Sequence, residues 1–169
     1  DLAGWANVTA SLLTFAASVS LAVQVANVGE IQGATFLIDD FNVYLVVLTS
    51  FVGLTTSIFS RPYMQYVREM GMTDTRGLRL YHGMYQAFMF TMLLALTTAN
   101  LGVLWVAVEG ATLATVLLVS LYRTPEAIEA AWKYFILCGV GIALALFGTV
   151  LTYFAAQHID GWNNPSLAW

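Results

Sequence analysis

Long apolar segments constrain this sequence more than any other feature. The run from Leu101 to Tyr122 contains a single charged side chain, Glu109. As a helix rising ~1.5 Å per residue it would measure roughly 33 Å, about the hydrocarbon thickness of a bilayer. The run therefore predicts a membrane-spanning helix that carries Glu109 near its middle.

Four further segments share this character, and together they predict an all-α, polytopic transmembrane helix bundle. We expect five spanning helices in a single membrane domain over residues 1–169. Their approximate ranges are 5–28, 41–60, 80–99, 101–122 and 127–156, with a cytoplasmic loop at 61–79. The composition agrees, because 59% of the 169 residues are hydrophobic, 9% are charged and the mean hydropathy is +0.75. A soluble domain would carry roughly 25% charged residues.

The stretch from Arg61 to Arg79 is the charge-rich part of the sequence. Pro62 suits the first turn of a helix, where its missing N–H costs nothing, and Gly71 suits a helix end. We therefore expect a separate short helix at the membrane interface here, with arginines that set the topology.

Basic residues are distributed unequally between the two ends of the predicted bundle. If the first helix begins in the cytoplasm, all five arginines and Lys133 fall on the cytoplasmic side. The opposite end has no Lys or Arg and carries the acidic residues Glu30, Asp39, Asp40 and Asp160. The positive-inside rule thus predicts a cytoplasmic N-terminus.

Small polar side chains recur at helical spacing in the first two segments. Such stripes let helices approach closely and form hydrogen bonds with each other, so we expect both to face the bundle interior. They comprise Asn7, Ser11, Thr14 and Ser18 in the first segment, and Thr49, Gly53, Thr56 and Ser60 in the second.

Glu109 is the main candidate for a functional residue. A charged side chain at the bilayer centre costs on the order of 2.5–3.5 kcal/mol, so such an acid usually faces a bundle interior or a watery cavity and serves proton or ion traffic. Two interpretations are open: a carboxylate that exchanges protons, or a protonated acid that only packs and hydrogen-bonds between helices.

Two other ionisable residues are candidates. His82, with Gln86 one turn on, could line a cytoplasmic access route, or could be an interfacial histidine among tyrosines. Lys133 is the only lysine and follows Glu129 by four residues, which predicts a surface ion pair or a side chain that extends to the interface.

Several kinds of chemistry find no support in the sequence. One cysteine, Cys138, and two distant histidines, His82 and His158, cannot make a closed metal site. Haem-attachment, iron–sulfur and phosphate-loop motifs do not occur, so we expect no cofactor. No basic patch exists for nucleic acid, and the lipid bilayer is the expected surrounding. The inventory is that of a proton path rather than of a bond-making site.

Two motifs carry a family resemblance. The fourth segment contains W-x-x-x-E-x-x-T-L, formed by Trp105, Glu109, Thr112 and Leu113, and the fifth contains Ala-Ala-Trp-Lys-Tyr at 130–134. With the surrounding sequence from Tyr81 to Val150, they resemble the antiporter-like membrane subunits of the complex I superfamily. The sequence of this region is most similar to hydrogenase-4 component F and to the membrane subunits of formate hydrogenlyase and energy-converting hydrogenases.

The resemblance implies a larger antiporter-like fold and assigns the role of the family's acid to Glu109. Together with the candidates named above, we expect a proton path of Glu109, Lys133, His82 and Thr112. In that family such an acid belongs to an intramembrane Glu–Lys pair, coupled to proton or sodium movement by electron transfer in a peripheral arm. The family's partner lysine lies on a broken helix that follows the matched region. Lys133 matches a different lysine, at the start of the helix before it. Family members have many more helices than five, so we expect a truncated or naturally split subunit.

The implied function is that of a proton-translocating, non-redox membrane subunit of a hydrogenase-type or NADH:quinone-type complex. Other membrane and peripheral subunits would be its partners, in the inner membrane of a bacterium or archaeon. Two alternatives stay open. One is a membrane subunit of a multisubunit Na⁺/H⁺ antiporter or an inorganic-carbon uptake system; the other is a structural scaffold in which Glu109 is neutral.

Overall fold

Five long helices make up the computed structural model of the chain, which describes residues 2–33 and 35–156. The helices are α1 (Leu2–Val28), α2 (Asp40–Glu69), α3 (Thr75–Thr97), α4 (Leu101–Val119) and α5 (Pro125–Ala156). Two short strands, β1 (Ile31–Gln32) and β2 (Leu37–Ile38), pair antiparallel between α1 and α2, and a 3-10 turn at Ser120–Tyr122 extends α4. The all-α prediction is confirmed. Asp160 and His158 lie outside the described residues.

Four of these helices are long and apolar enough to cross a membrane, namely α1, α2, α4 with its 3-10 turn, and α5. The chain is therefore an integral membrane protein. The remaining predicted span, the third, corresponds to α3. It is long enough to cross, but Arg76, Arg79, His82 and Gln86 make it less apolar.

Contacts between two connections place them at the same end of the bundle. Phe36, before β2, pairs with Thr98 in an isolated antiparallel bridge, and the Ala99 N–H donates to the Thr35 carbonyl at 2.8 Å. The link between α1 and α2 thus touches the tight turn between α3 and α4. The bridge supplies partners for backbone groups that the helices leave unpaired.

The opposite end is closed by apolar side chains from three elements. Met64 of α2, Leu78 of α3 and Leu121 after α4 form a buried cluster, and Tyr81 packs against it. One end of α3 lies at the Phe36–Thr98 bridge and the other end lies in this apolar cluster. Helix α3 therefore runs the length of the bundle, antiparallel to α2 and α4.

The course of α2 differs from the prediction. The helix continues through Pro62 to Glu69, so the separate interfacial helix and the long 61–79 loop are wrong, and only residues 70–74 connect α2 to α3. Beyond Pro62, Met64 and Val67 are 1% and 3% exposed. Burial of these side chains on one continuous helical face outweighs the hydrogen bond that proline cannot donate, as often happens in membrane helices.

Side-chain caps start α2, α3 and α4. Asp39 accepts from the Asn42 N–H at 2.7 Å, Asp74 accepts from the Gly77 N–H at 2.7 Å, and Asn100 accepts from the N–H groups of Gly102 and Val103. The Gly77 bond is the largest cause that lowers the pKa of the Asp74 carboxyl below 3.8, and the charges of Arg76 and Arg123 add to it. These caps set where α2, α3 and α4 begin.

Candidate functional site

The packing of α4 against α3 determines where Glu109 lies. The buried residues of α4 are small, namely Ala107, Ala111, Thr112 and Ala114. Gly110 lies so close to α3 that an added Cβ would be 2.9 Å from the Thr91 methyl carbon. Small residues therefore let the backbones of α3 and α4 approach closely at the level of Glu109.

Glu109 itself is half-buried near the middle of α4. One turn earlier, the Trp105 indole N–H donates to the Ile142 carbonyl of α5 at 2.8 Å, which fixes α4 against α5. Residues four apart share a helix face, so Glu109 lies on the side of α4 that meets α5. Within residues 2–33 and 35–156, its carboxylate has no hydrogen-bond or ion-pair partner.

Thr112, on the next turn of α4, is 8% exposed. Its hydroxyl donates to the Val108 carbonyl at 3.1 Å, a common arrangement for threonine within a helix. The structure thus places Thr112 close to Glu109 along the helix, with its proton engaged by the backbone.

Lys133 forms the ion pair with Glu129 that its spacing predicts. The two side chains are 70% and 65% exposed, so the pair lies on the surface of the described bundle. Along α5, Lys133 is about two and a half turns from Ile142, the residue that contacts Trp105. The structure does not bring Lys133 to Glu109.

His82 lies on a different side of α3 from the side that contacts α4. It is 4% exposed, and both of its ring nitrogens are buried without a hydrogen-bond partner in the described part of the chain. The Tyr81 ring packs edge-on against it, with centroids 5.2 Å apart. The four predicted path residues therefore occupy three separate places: Glu109 with Thr112, Lys133, and His82.

A polar cluster joins α1, α2 and α3, and the sequence did not predict its connectivity. The Asn7 amide donates to the Ser57 hydroxyl at 2.9 Å. The Gln86 amide donates to Asn7 Oδ1 at 2.7 Å and to the Ser11 hydroxyl at 2.9 Å. Asn7, the only side-chain amide in the first half of α1, was the available signal.

Further polar contacts continue between these helices. The Tyr85 hydroxyl donates to the Gly53 carbonyl at 2.6 Å, and the hydroxyls of Ser18 and Ser50 are 2.6 Å apart. The predicted inward stripe of α1 is largely right. On α2 the buried hydroxyls are Ser50, Ser57 and Ser60, while Thr56 is exposed, so the prediction was one residue out of register for part of its length.

Among the residues that the structure describes, no group of three or more His, Cys, Asp and Glu side chains could hold an ion. What the arrangement offers is a half-buried acid in α4 and a separate set of hydrogen-bonded polar groups between α1, α2 and α3.

These features define the class of protein: a helical integral membrane protein whose polar groups are concentrated between its helices. No family model matches the sequence. The chain is, however, 46% identical over 168 residues to a hydrogenase-4 component F homolog of Methylacidiphilum infernorum, covering 99% of this chain and 34% of that protein. It belongs to the antiporter-like membrane subunits of the complex I superfamily, as the motifs predicted.

Two further relatives extend the similarity. NADH-quinone oxidoreductase subunit L of Mycobacterium tuberculosis is 33% identical over 117 residues, covering 69% of this chain and 17% of that protein. NADH-quinone oxidoreductase subunit N of Campylobacter lari is 32% identical over 79 residues, covering 45% of this chain and 17% of that protein. The chain thus spans about a third or less of the length of the relatives it matches.

Proposed function

We propose that this chain is part of a proton-translocating, non-redox membrane subunit of a complex I-like oxidoreductase, of the hydrogenase or NADH:quinone type. The observation that carries the proposal is the 46% identity with a hydrogenase-4 component F homolog across 99% of the chain. The names of the other relatives, NADH-quinone oxidoreductase subunits L and N, support the same class of complex. Other membrane and peripheral subunits would be its partners, with the N-terminus on the cytoplasmic side of a cell membrane.

Glu109 is the residue we propose to gain and lose the proton. It lies near the middle of a helix long enough to span the bilayer, which would put it near mid-membrane. Since the described residues provide no hydrogen-bond or ion-pair partner, its charge state is open to control by a group that approaches it. A positive charge nearby favours the carboxylate, and withdrawal of that charge from a low-dielectric site favours the protonated acid.

The remaining path residues have supporting roles in this proposal. Thr112 lies on the turn after Glu109, where its hydroxyl can accept a hydrogen bond while donating to Val108. Lys133, paired with Glu129 at the surface of α5, would act at the end of the path rather than on Glu109 directly. His82 would serve the α2–α3 end of the bundle.

The test is proton translocation by the assembled complex in sealed vesicles, with Glu109→Gln as the variant. Glutamine keeps the shape of the side chain and removes its titration, so we expect translocation to be lost while the complex still assembles. Glu129→Gln, an exposed carboxylate on α5, is the matched control and should behave as wild type. Normal translocation by Glu109→Gln would leave the structural scaffold as the better description.

A further inference from the structure

His82 is a buried polar residue whose ring lacks hydrogen bonds in the described part of the chain. The residue is 4% exposed, and neither ring nitrogen has a hydrogen-bond partner among the described residues. Buried polar atoms nearly always have a partner, whether protein or ordered water. An imidazole needs at least one acceptor for its N–H and one donor for its other nitrogen.

The position of His82 follows from its neighbours along α3. One turn further on, Gln86 bonds to Asn7 of α1. One turn earlier, Leu78 packs against Met64 of α2 in the apolar cluster that closes this end. His82 therefore lies between the polar cluster around Asn7 and the apolar cluster around Met64, on the side of α3 that faces α1 and α2.

The same interval on α2 contains a second unpartnered polar atom. Ser57 bonds to Asn7 and Met64 meets Leu78, so Ser60 and Arg61 come between them at the level of His82. The Nε atom of Arg61 is buried and has no partner in the described range. The Arg61 guanidinium carbon lies 4.0 Å from the centroid of the Trp5 ring, which holds the side chain against α1.

Polar groups then continue from this level toward the bundle middle. From His82 in the direction away from the apolar cluster, the contacts are in order Gln86–Asn7, Tyr85–Gly53 and Ser18–Ser50. Along α2, the distance from Arg61 to Ser50 is about 16 Å. Along α3, the distance from His82 to Thr91, the residue that packs against Gly110, is about 14 Å. This series of polar contacts, which we call the polar file, therefore reaches roughly the depth of Glu109.

We propose that His82, Arg61 and Ser60 form a water-binding site at the foot of a hydrated file between α1, α2 and α3. The Arg61 Nε–H donates to a water molecule, which in turn donates to the unprotonated nitrogen of His82. The His82 N–H donates to a second water molecule, which donates to the Ser60 hydroxyl oxygen. Buried water commonly makes about three such bonds to otherwise unpaired groups.

This inference rests on the proposed function only for its purpose, which would be to bring protons from the α2–α3 end toward the depth of Glu109. The presence of water is a separate claim with its own readout. Exchange of the imidazole C2 hydrogen for deuterium requires water at the ring, and mass spectrometry resolves it for the peptide that contains His82.

The experiment uses the purified membrane protein in nanodiscs, with the same protein in denaturant as the reference. We expect the C2 hydrogen of His82 to exchange within about tenfold of its denatured rate, while the backbone amides of α3 remain protected. Slower exchange would show a dry ring and overturn the proposal. Loss of amide protection together with exchange would mean that opening of the helix, not bound water, exposes the ring, and would overturn it too.

A matched pair of variants at Ser60 tests where the water lies. Ser60 is 7% exposed, so Ser60→Val fills its surroundings whereas Ser60→Ala leaves room. Relative to Ser60→Ala, Ser60→Val should slow His82 exchange by about tenfold or more without loss of amide protection. Equal rates in two folded variants would contradict the site, and if Ser60→Val does not fold, the wild-type measurement still decides.

Failure of this inference can be told apart from failure of the proposed function. If His82 is dry and Glu109→Gln loses translocation, the hydrated file is contradicted and the proposed function is supported. If His82 is hydrated and Glu109→Gln translocates normally, the hydrated site is supported and the proposed function is contradicted.

Discussion

The Gln86 side chain of α3 donates a 2.7 Å hydrogen bond to the Asn7 side chain of α1, across 79 residues of sequence. Asn7 in turn donates to Ser57 of α2, so one chain of bonds ties three helices together. In a membrane, helices gain little from mutual burial of apolar surface, and bonds of this kind contribute to which helices associate.

Replacing Gln86 with Leu should destabilise the protein. The change leaves the buried Asn7 side chain short of a partner, which costs ~1–3 kcal/mol in soluble proteins, and about 0.6 kcal/mol on average for interhelical bonds in a membrane protein. Thermal melting in detergent would measure the loss, with Gln24→Leu, at an exposed position of α1, as the control. Equal melting temperatures for the two variants would show that the bond adds nothing.

Replacing Gly110 with Ala should also destabilise the protein, because the new Cβ would be 2.9 Å from the Thr91 methyl carbon. Gly83→Ala in α3 is the control, since nothing lies within 4 Å of its Cβ position. There alanine should stabilise by ~1 kcal/mol, because it favours the helix more than glycine does. Adding Thr91→Ser to Gly110→Ala should restore part of the loss, and a lack of restoration would argue against this contact as the cause.

The Glu129–Lys133 pair should matter little for stability. The side chains are 65% and 70% exposed, and exposed pairs four residues apart contribute ~0.3–0.5 kcal/mol. We expect Lys133→Met and Glu129→Gln to melt close to wild type. Translocation assays on both then test the path assignment: a loss confined to Lys133→Met supports a role for the lysine, and wild-type rates in both remove Lys133 from the path.

The Asp74 cap should make stability sensitive to acid. Its pKa is lowered from 3.8 in the folded protein, chiefly by the Gly77 N–H, so folding favours the carboxylate. The contribution is complete above the unfolded value and disappears as the pH falls through the lower folded value. Wild type should therefore melt above Asp74→Ala near neutral pH, with a gap that narrows below about pH 4. A gap of constant size down to pH 2 would contradict this origin.

Sequence reasoning predicted the helices well because the bilayer sets their length. The apolar runs that contain Asn7, Glu109 and Lys133 became α1, α4 and α5 nearly as predicted, and the capping side chain of Asn100 marks the start of α4. Pro62 misled the prediction, because its local preference for a helix start was overruled by burial of Met64 on the continued face of α2.

By itself, the sequence determined that this is a membrane bundle of the antiporter-like family with an acid in its fourth long helix, because hydrophobic length and motif spacing are local properties. Only the tertiary structure decided that Gln86 meets Asn7, that Gly110 meets Thr91, and that His82 is buried between the helices. These outcomes depend on how far each helix is rotated and shifted against its neighbours. Rotation and shift are set by side-chain packing between distant segments, which no single stretch of sequence contains.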